Sequence, residues 1–272
     1  MPVRRVAVRG AELEVDERGA GEPVLLVQTA LTADELQPLA EHPALAAGHR
    51  TILCHRRGYA GSSPADGPGS VNGDAADCVA LLDALGVERA HVLGYSYSAA
   101  VALQLAADAP HRTHTLVLLE PPPVHTASAP EFRAVNDRLR RTRREHGPAA
   151  ALDELLTLVT GPDWREVFDA RLPGSVRQME RDTATFFDTD VPALLAWRFG
   201  PADARRITCP ALHVGGTDSG PWFAETRALV HAWLPHAEDV QLPGANHSFT
   251  LTHTDATAHA VADFLRRNPM PT

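Results

Sequence analysis

Short apolar runs alternate with segments of helical period along most of this chain, and that alternation limits the folds open to it. "PVLLVQ" (23–28), "TILC" (51–54), "AHVLG" (90–94), "TLVLLE" (115–120) and "CPALHVGG" (209–216) are apolar on both alternating faces. A strand facing solvent on one side would alternate apolar with polar residues. A continuous apolar run suits a parallel strand covered on both faces. Helical patterns lie between the runs, at 72–85, 97–109, 221–233 and 255–267, the first ending at Gly86 and the second before Pro110. A further helix is expected from Thr32, with Glu35 three residues on as its capping partner. Residues 4–17 alternate and turn at Gly10, an antiparallel hairpin. The expected fold is α/β: a doubly wound, mostly parallel eight-stranded sheet with an inserted all-helical cap.

The alternation breaks after residue 123. Residues 124–204 carry helical patterns at 131–146, 149–159, 163–171 and 174–189 and no strand pattern. Three spans follow: core at 1–123, helical cap or lid at 124–204, and core again at 205–272. Ligands in open α/β sheets bind beyond the C-terminal strand ends, where such an insertion would sit.

Composition narrows the function classes. The 272 residues are 44% hydrophobic and 22% charged, with a formal net charge of −9. All 25 basic residues are arginine. No basic stretch is interleaved with aromatics, so nucleic acid is not an expected partner. The run Arg138–Arg144 reads as a solvated helix face. Cys54, Cys78 and Cys209 have neither zinc nor CxxC spacing, and no disulfide framework is expected. No metal and no cofactor are expected. No apolar run approaches the ~20 residues of a membrane span. No signal-like segment follows Met1, so a cytoplasmic protein is expected. The expected partner is a small-molecule substrate, and a homodimer is left open.

Candidate chemistry gathers at strand ends. "HVLGYSYSAA" (91–100) places Ser96 where a strand turns into a helix. Such an elbow projects the hydroxyl above the sheet. Ser98 occupies the second glycine position of the usual G-x-S-x-G, and Gly94, Ala99 and Ala100 keep the turn small. The bland alternative is a helix-capping serine. His247, in "LPGANHSF" after the last strand, is the expected base, with His253 the alternative. Asp218, in "GTDSG", is the expected orienting acid, preferred over Glu120 at the end of "TLVLLE". Three strand-end loops then supply serine, acid and base in the order Ser96, Asp218, His247.

"GYSYS", "GTD", "NH" and "RRGYAGSS" together resemble the α/β-hydrolase superfamily, in its bacterial esterase-like subgroup, over nearly the whole chain. His55 and Ala60 depart from the usual aspartate and glycine of the last motif. The resemblance implies a cofactor-free serine hydrolase of an ester, thioester or lactone bond. A non-hydrolytic cyclase or lyase on the same fold, or a non-catalytic binding protein, are its alternatives. It also implies an oxyanion hole from the N–H of Tyr97 and one near Ala30 or Leu31. Gln28 and Thr29 stand where the family usually has His-Gly, and either side chain is a further candidate donor. Gln28, Thr29, Tyr95, Phe186, Phe187, Trp197 and Trp222 are the expected pocket residues.

Overall fold

A computed structural model describes residues 3–65 and 67–271. The strands are β1 (Arg4–Val8), β2 (Ala11–Gly19), β3 (Glu22–Val27), β4 (His49–Cys54), β5 (Ala90–Tyr95), β6 (Thr113–Leu119), β7 (Ala211–Gly216) and β8 (Glu238–Leu242). They form one sheet in the order β1-β2-β4-β3-β5-β6-β7-β8. The β1–β2 and β2–β4 pairs are antiparallel, and the rest are parallel. The hairpin turns at Arg9 and Gly10, both at positive φ, as a two-residue hairpin turn requires.

The helices are α1 (Gln37–Ala40), α2 (Pro43–Ala46), α3 (Val71–Ala84), α4 (Tyr97–Asp108), α5 (Ala129–His146), α6 (Pro148–Val159), α7 (Trp164–Arg171), α8 (Ser175–Thr185), α9 (Val191–Ala196), α10 (Pro201–Ala204), α11 (Pro221–Trp233), α12 (Phe249–Thr252) and α13 (Thr254–Arg267). The helix expected from Thr32 does not form. Pro38 and Pro43 divide its span into the single turns α1 and α2, since proline cannot donate within a helix. The Thr32 hydroxyl instead contacts Met179 Sδ at 3.3 Å. The pattern expected over 174–189 also divides. α8 stops at Thr185, and a π-helical turn, Phe186–Asp190, follows.

The strands explain their own apolar runs. Along β3, Leu25 and Val27 join one core with β4, β5, α3 and α4, while Val24 and Leu26 join a second core with α1, α2 and α13. Period-two alternation thus feeds two buried layers. α5 to α10 lie between β6 and β7 in the chain. Most of this insertion packs around its own centre of Leu139, Leu152, Trp164, Phe168, Met179 and Phe187, which also takes in Leu31 and Leu251 from the sheet's C-terminal side.

Candidate active site

The serine elbow is real and strained. Ser96 has φ 51° and ψ −116°, a region that non-glycine residues rarely occupy. Its amide is held by Leu119 O of β6 at 2.9 Å. A Cβ on Gly94 would lie 2.2 Å from Ser98 O, so only glycine lets strand and helix approach this closely. Ser98 needs no such exemption. Its buried hydroxyl accepts from Tyr95 N at 2.9 Å and donates to Tyr95 O at 3.0 Å, stitching the turn.

His247 Nε2 lies 3.1 Å from Ser96 Oγ. Its Nδ1 lies 2.6 Å from Glu120 Oε2. A carboxylate there fixes the tautomer: Nδ1–H donates to Glu120, leaving Nε2 to accept from the serine. Two aromatic rings pack on the imidazole. The Phe223 ring stacks on it at 4.0 Å and 17°, and the Tyr95 ring lies at 5.0 Å. The Tyr95 hydroxyl also donates to His247 O.

The carboxylate beside His247 is not the expected Asp218. Asp218 is exposed, accepts from its neighbour Thr217 at 2.9 Å, and does not reach His247. Its own amide donates to Ala245 O at 2.9 Å. Glu120 takes the position instead. It is buried immediately after β6, and its other oxygen accepts from Gly216 N at 2.7 Å. Its backbone sits at φ 40°. A sharp turn directly at the strand end aims the side chain at His247, whereas Asp218 lies two residues beyond its strand. His253 lies at the start of α13 and contacts Thr252 rather than Ser96.

The segment after β3 is ordered by a buried ionic network. Arg56 donates through Nε to Gln28 O at 3.0 Å and through NH2 to Thr29 O at 3.2 Å. The guanidinium is matched by Asp190 from the insertion, at 2.9 and 2.8 Å, and by Asp74 at 3.1 Å. It also lies 4.2 Å from the Tyr97 ring centroid. Tyr59 donates to Asp190 at 2.7 Å and accepts from Leu31 N at 3.0 Å.

These bonds sort the expected oxyanion donors. The Leu31 N–H is spent on Tyr59. The Thr29 hydroxyl is spent on Tyr95 O at 2.9 Å. The Gln28 amide is turned onto Thr29 O, with its oxygen taken by Arg56 N at 3.1 Å. Leu31, Gln28 and the Thr29 side chain are therefore not free donors. The Ala30 N–H has no acceptor among the described residues, and the positive φ of 67° falls on Leu31.

A largely apolar cavity opens on this centre. Thr29, Ala30, Leu31, Tyr95, Ser96, Tyr97, Phe186, Trp222, Phe223 and His247 line it, with Phe132, Leu139, Leu156 and Val191 from the insertion. Of the expected pocket residues, Gln28, Phe187 and Trp197 do not line it. Gln28 is engaged with backbone. Phe187 packs in the insertion's centre. Trp197 packs with Phe199 and donates to Gln104 at 2.8 Å. Phe223 and Glu35 are lining residues that the sequence pattern did not mark. Glu35 is fully buried, accepts from Thr250 at 3.0 Å, and burial raises its carboxyl above the usual range, favouring the neutral acid.

Residues 23–254 match the family model described as the alpha/beta hydrolase fold. The chain belongs to the α/β hydrolase fold family. A putative carbamate hydrolase RutD from Variovorax paradoxus is 30% identical over 250 residues, 84% of this chain and 85% of that protein. Another RutD, from Azorhizobium caulinodans, is 37% identical over 110 residues, covering 40% and 41%. Among solved structures, the enol-lactonase of Burkholderia xenovorans LB400 superposes with a TM-score of 0.81 at 23% identity, covering 97% of this chain and all of that one. An esterase from Thermogutta terrifontis gives 0.84 at 20% identity, covering 99% and 100%. This α/β hydrolase is thus an enzyme of the hydrolase type, and no helix among its described residues is long and apolar enough to cross a membrane.

Proposed function

We propose that the protein is a serine hydrolase acting on an ester, thioester or lactone bond of a largely apolar small molecule. One observation carries the reading: the continuous contact from Ser96 Oγ through His247 to Glu120, at 3.1 and 2.6 Å, at the floor of an apolar cavity. His247 Nε2 takes the proton as Ser96 Oγ attacks the acyl carbon. Glu120 stabilises the imidazolium that forms. The N–H groups of Tyr97 and Ala30 hold the oxyanion. The proton on Nε2 passes to the leaving group, and a water activated by the same nitrogen releases the acyl-enzyme. The insertion at 124–204 serves as a lid whose apolar residues receive the acyl group.

A fluorophosphonate probe tests the nucleophile. Labelling of wild-type protein and none of Ser96→Ala is the expected result. A folded wild type that stays unlabelled, and that releases no p-nitrophenol from short and medium acyl esters, would rule the mechanism out.

A further inference from the structure

At the pole of the sheet opposite Ser96, three adjacent parallel strands begin with potential metal ligands. Glu22 opens β3, His49 opens β4, and His91 is the second residue of β5. Glu22 and His49 are direct register partners, and β3 lies between β4 and β5. One ligand atom from each of the three lies within 4.8 Å of the others. We propose that Glu22, His49 and His91 form a binding site for a divalent transition metal of the zinc type.

The surroundings are those of a prepared site. His49 Nδ1 lies 2.8 Å from Leu45 O. A carbonyl only accepts, so Nδ1 carries the proton and Nε2 keeps its lone pair. His91 Nδ1 lies 2.8 Å from the Thr115 hydroxyl. Glu22 uses one oxygen to accept from Met270 N at 3.0 Å and holds the other 3.0 Å from His91 Nε2. Each ligand thus has an outer hydrogen bond, as metal-binding histidines and carboxylates ordinarily do. The 3.0 Å separation is near the ~3.3 Å between two ligands of a tetrahedral zinc with bonds of about 2.0–2.1 Å. On binding, the His91 proton moves from Nε2 to Nδ1 and is donated to Thr115, whose hydroxyl turns to accept it. Two imidazoles and one carboxylate select zinc, cobalt or nickel over magnesium or calcium. The two histidines are buried and Glu22 is part-exposed, so the entry and any water ligand lie on the Glu22 side.

His213, His231 and Asp239 form a second cluster of the same type. It is the weaker candidate. Arg227 already donates twice to Asp239, at 2.9 and 2.6 Å. His213 Nδ1 and His231 Nε2 already face one Asp239 oxygen, at 3.0 and 3.3 Å, so that carboxylate is engaged by both histidines and Arg227.

The test uses full-length, untagged protein stripped with a chelator and titrated with Co²⁺, followed by visible absorption and then by displacement with Zn²⁺. One equivalent should bind and be displaced, and Zn²⁺ should raise the melting temperature. Glu22→Gln and His49→Gln should each weaken Co²⁺ binding at least about tenfold and remove the Zn²⁺-dependent melting shift, while His231→Gln changes neither. Glu22→Gln, at the part-exposed ligand, guards against a folding failure of the buried variant. Wild type without uptake at tens of micromolar Co²⁺, Glu22→Gln binding like wild type, or loss of binding in His231→Gln would each overturn the proposal.

Discussion

At the scale of single residues, the site turns on which carboxylate meets His247. Glu120 and Asp218 both follow strands whose C-terminal ends face Ser96, and their loops both hold small or rigid neighbours. Sequence order fits either acid, since both lie between Ser96 and His247, and only backbone geometry separates them. Glu120 is buried with two donors on it, His247 and Gly216 N, while Asp218 is exposed and bonded to Thr217. Removing the acid's charge leaves the imidazole without its tautomer lock and its counter-ion. Glu120→Gln should therefore lower kcat for an ester by roughly a thousandfold or more, and Asp218→Asn should stay within about threefold of wild type, as surface changes generally do. Parallel assays of the two variants decide between the acids, and the reverse pattern would assign the role to Asp218. Position relative to strand ends marks Ser96 and His247, and the structure brings the two within 3.1 Å. Ser98 was legible only as a small residue. Its two hydrogen bonds to Tyr95 depend on a turn that no spacing rule describes.

At the scale of elements, the segment following β3 and the insertion are joined by one buried charge network. Asp190 reaches from the insertion to Arg56, and Arg56 holds the carbonyls of Gln28 and Thr29. The peptide that ends at Ala30 N is thereby oriented by a residue 160 positions away in the chain. Asp190 closes a π-helical turn in which Phe186, Phe187 and Asp190 are all buried. The helical pattern over 174–189 stops one residue short of Asp190, so this connection is not legible in it. Asp190→Asn keeps the shape and removes the charge that balances Arg56. An N–H that binds only the oxyanion contributes to the transition state and not to substrate binding. The expected result is a fall in kcat of about 10- to 100-fold with KM changed little. A lowered melting temperature with kcat intact would reduce Asp190 to a structural contact.

At the scale of the whole molecule, a mostly parallel sheet with two buried faces is readable from apolar periodicity, because burial on both faces forces that pattern on the strands, whereas the strand order is not. What the pattern does not carry is the polar stitching between distant segments, and His55 shows its physical consequence. It stands just past β4, 2.9 Å from Asp34 beyond β3 and 3.3 Å from Glu14 in β2. Burial disfavours its charged form, but attraction to Asp34 and Glu14 outweighs burial, and its pKa is raised to about 9. Contact with His55 in turn holds the Glu14 carboxyl below its usual range. A histidine whose folded pKa exceeds its unfolded value, about 6.5, stabilises the fold fully below pH 6.5. That contribution is lost as pH rises through about 9, because the unfolded chain releases its proton first. The span corresponds to about 3 kcal/mol at most. Urea unfolding of the wild type should therefore show stability declining between pH 6.5 and 9, and His55→Asn should lack that part of the slope. Equal slopes in the two proteins over this range would mean that His55 is neutral in the folded state, with Asp34 and Glu14 held apart from it by solvent.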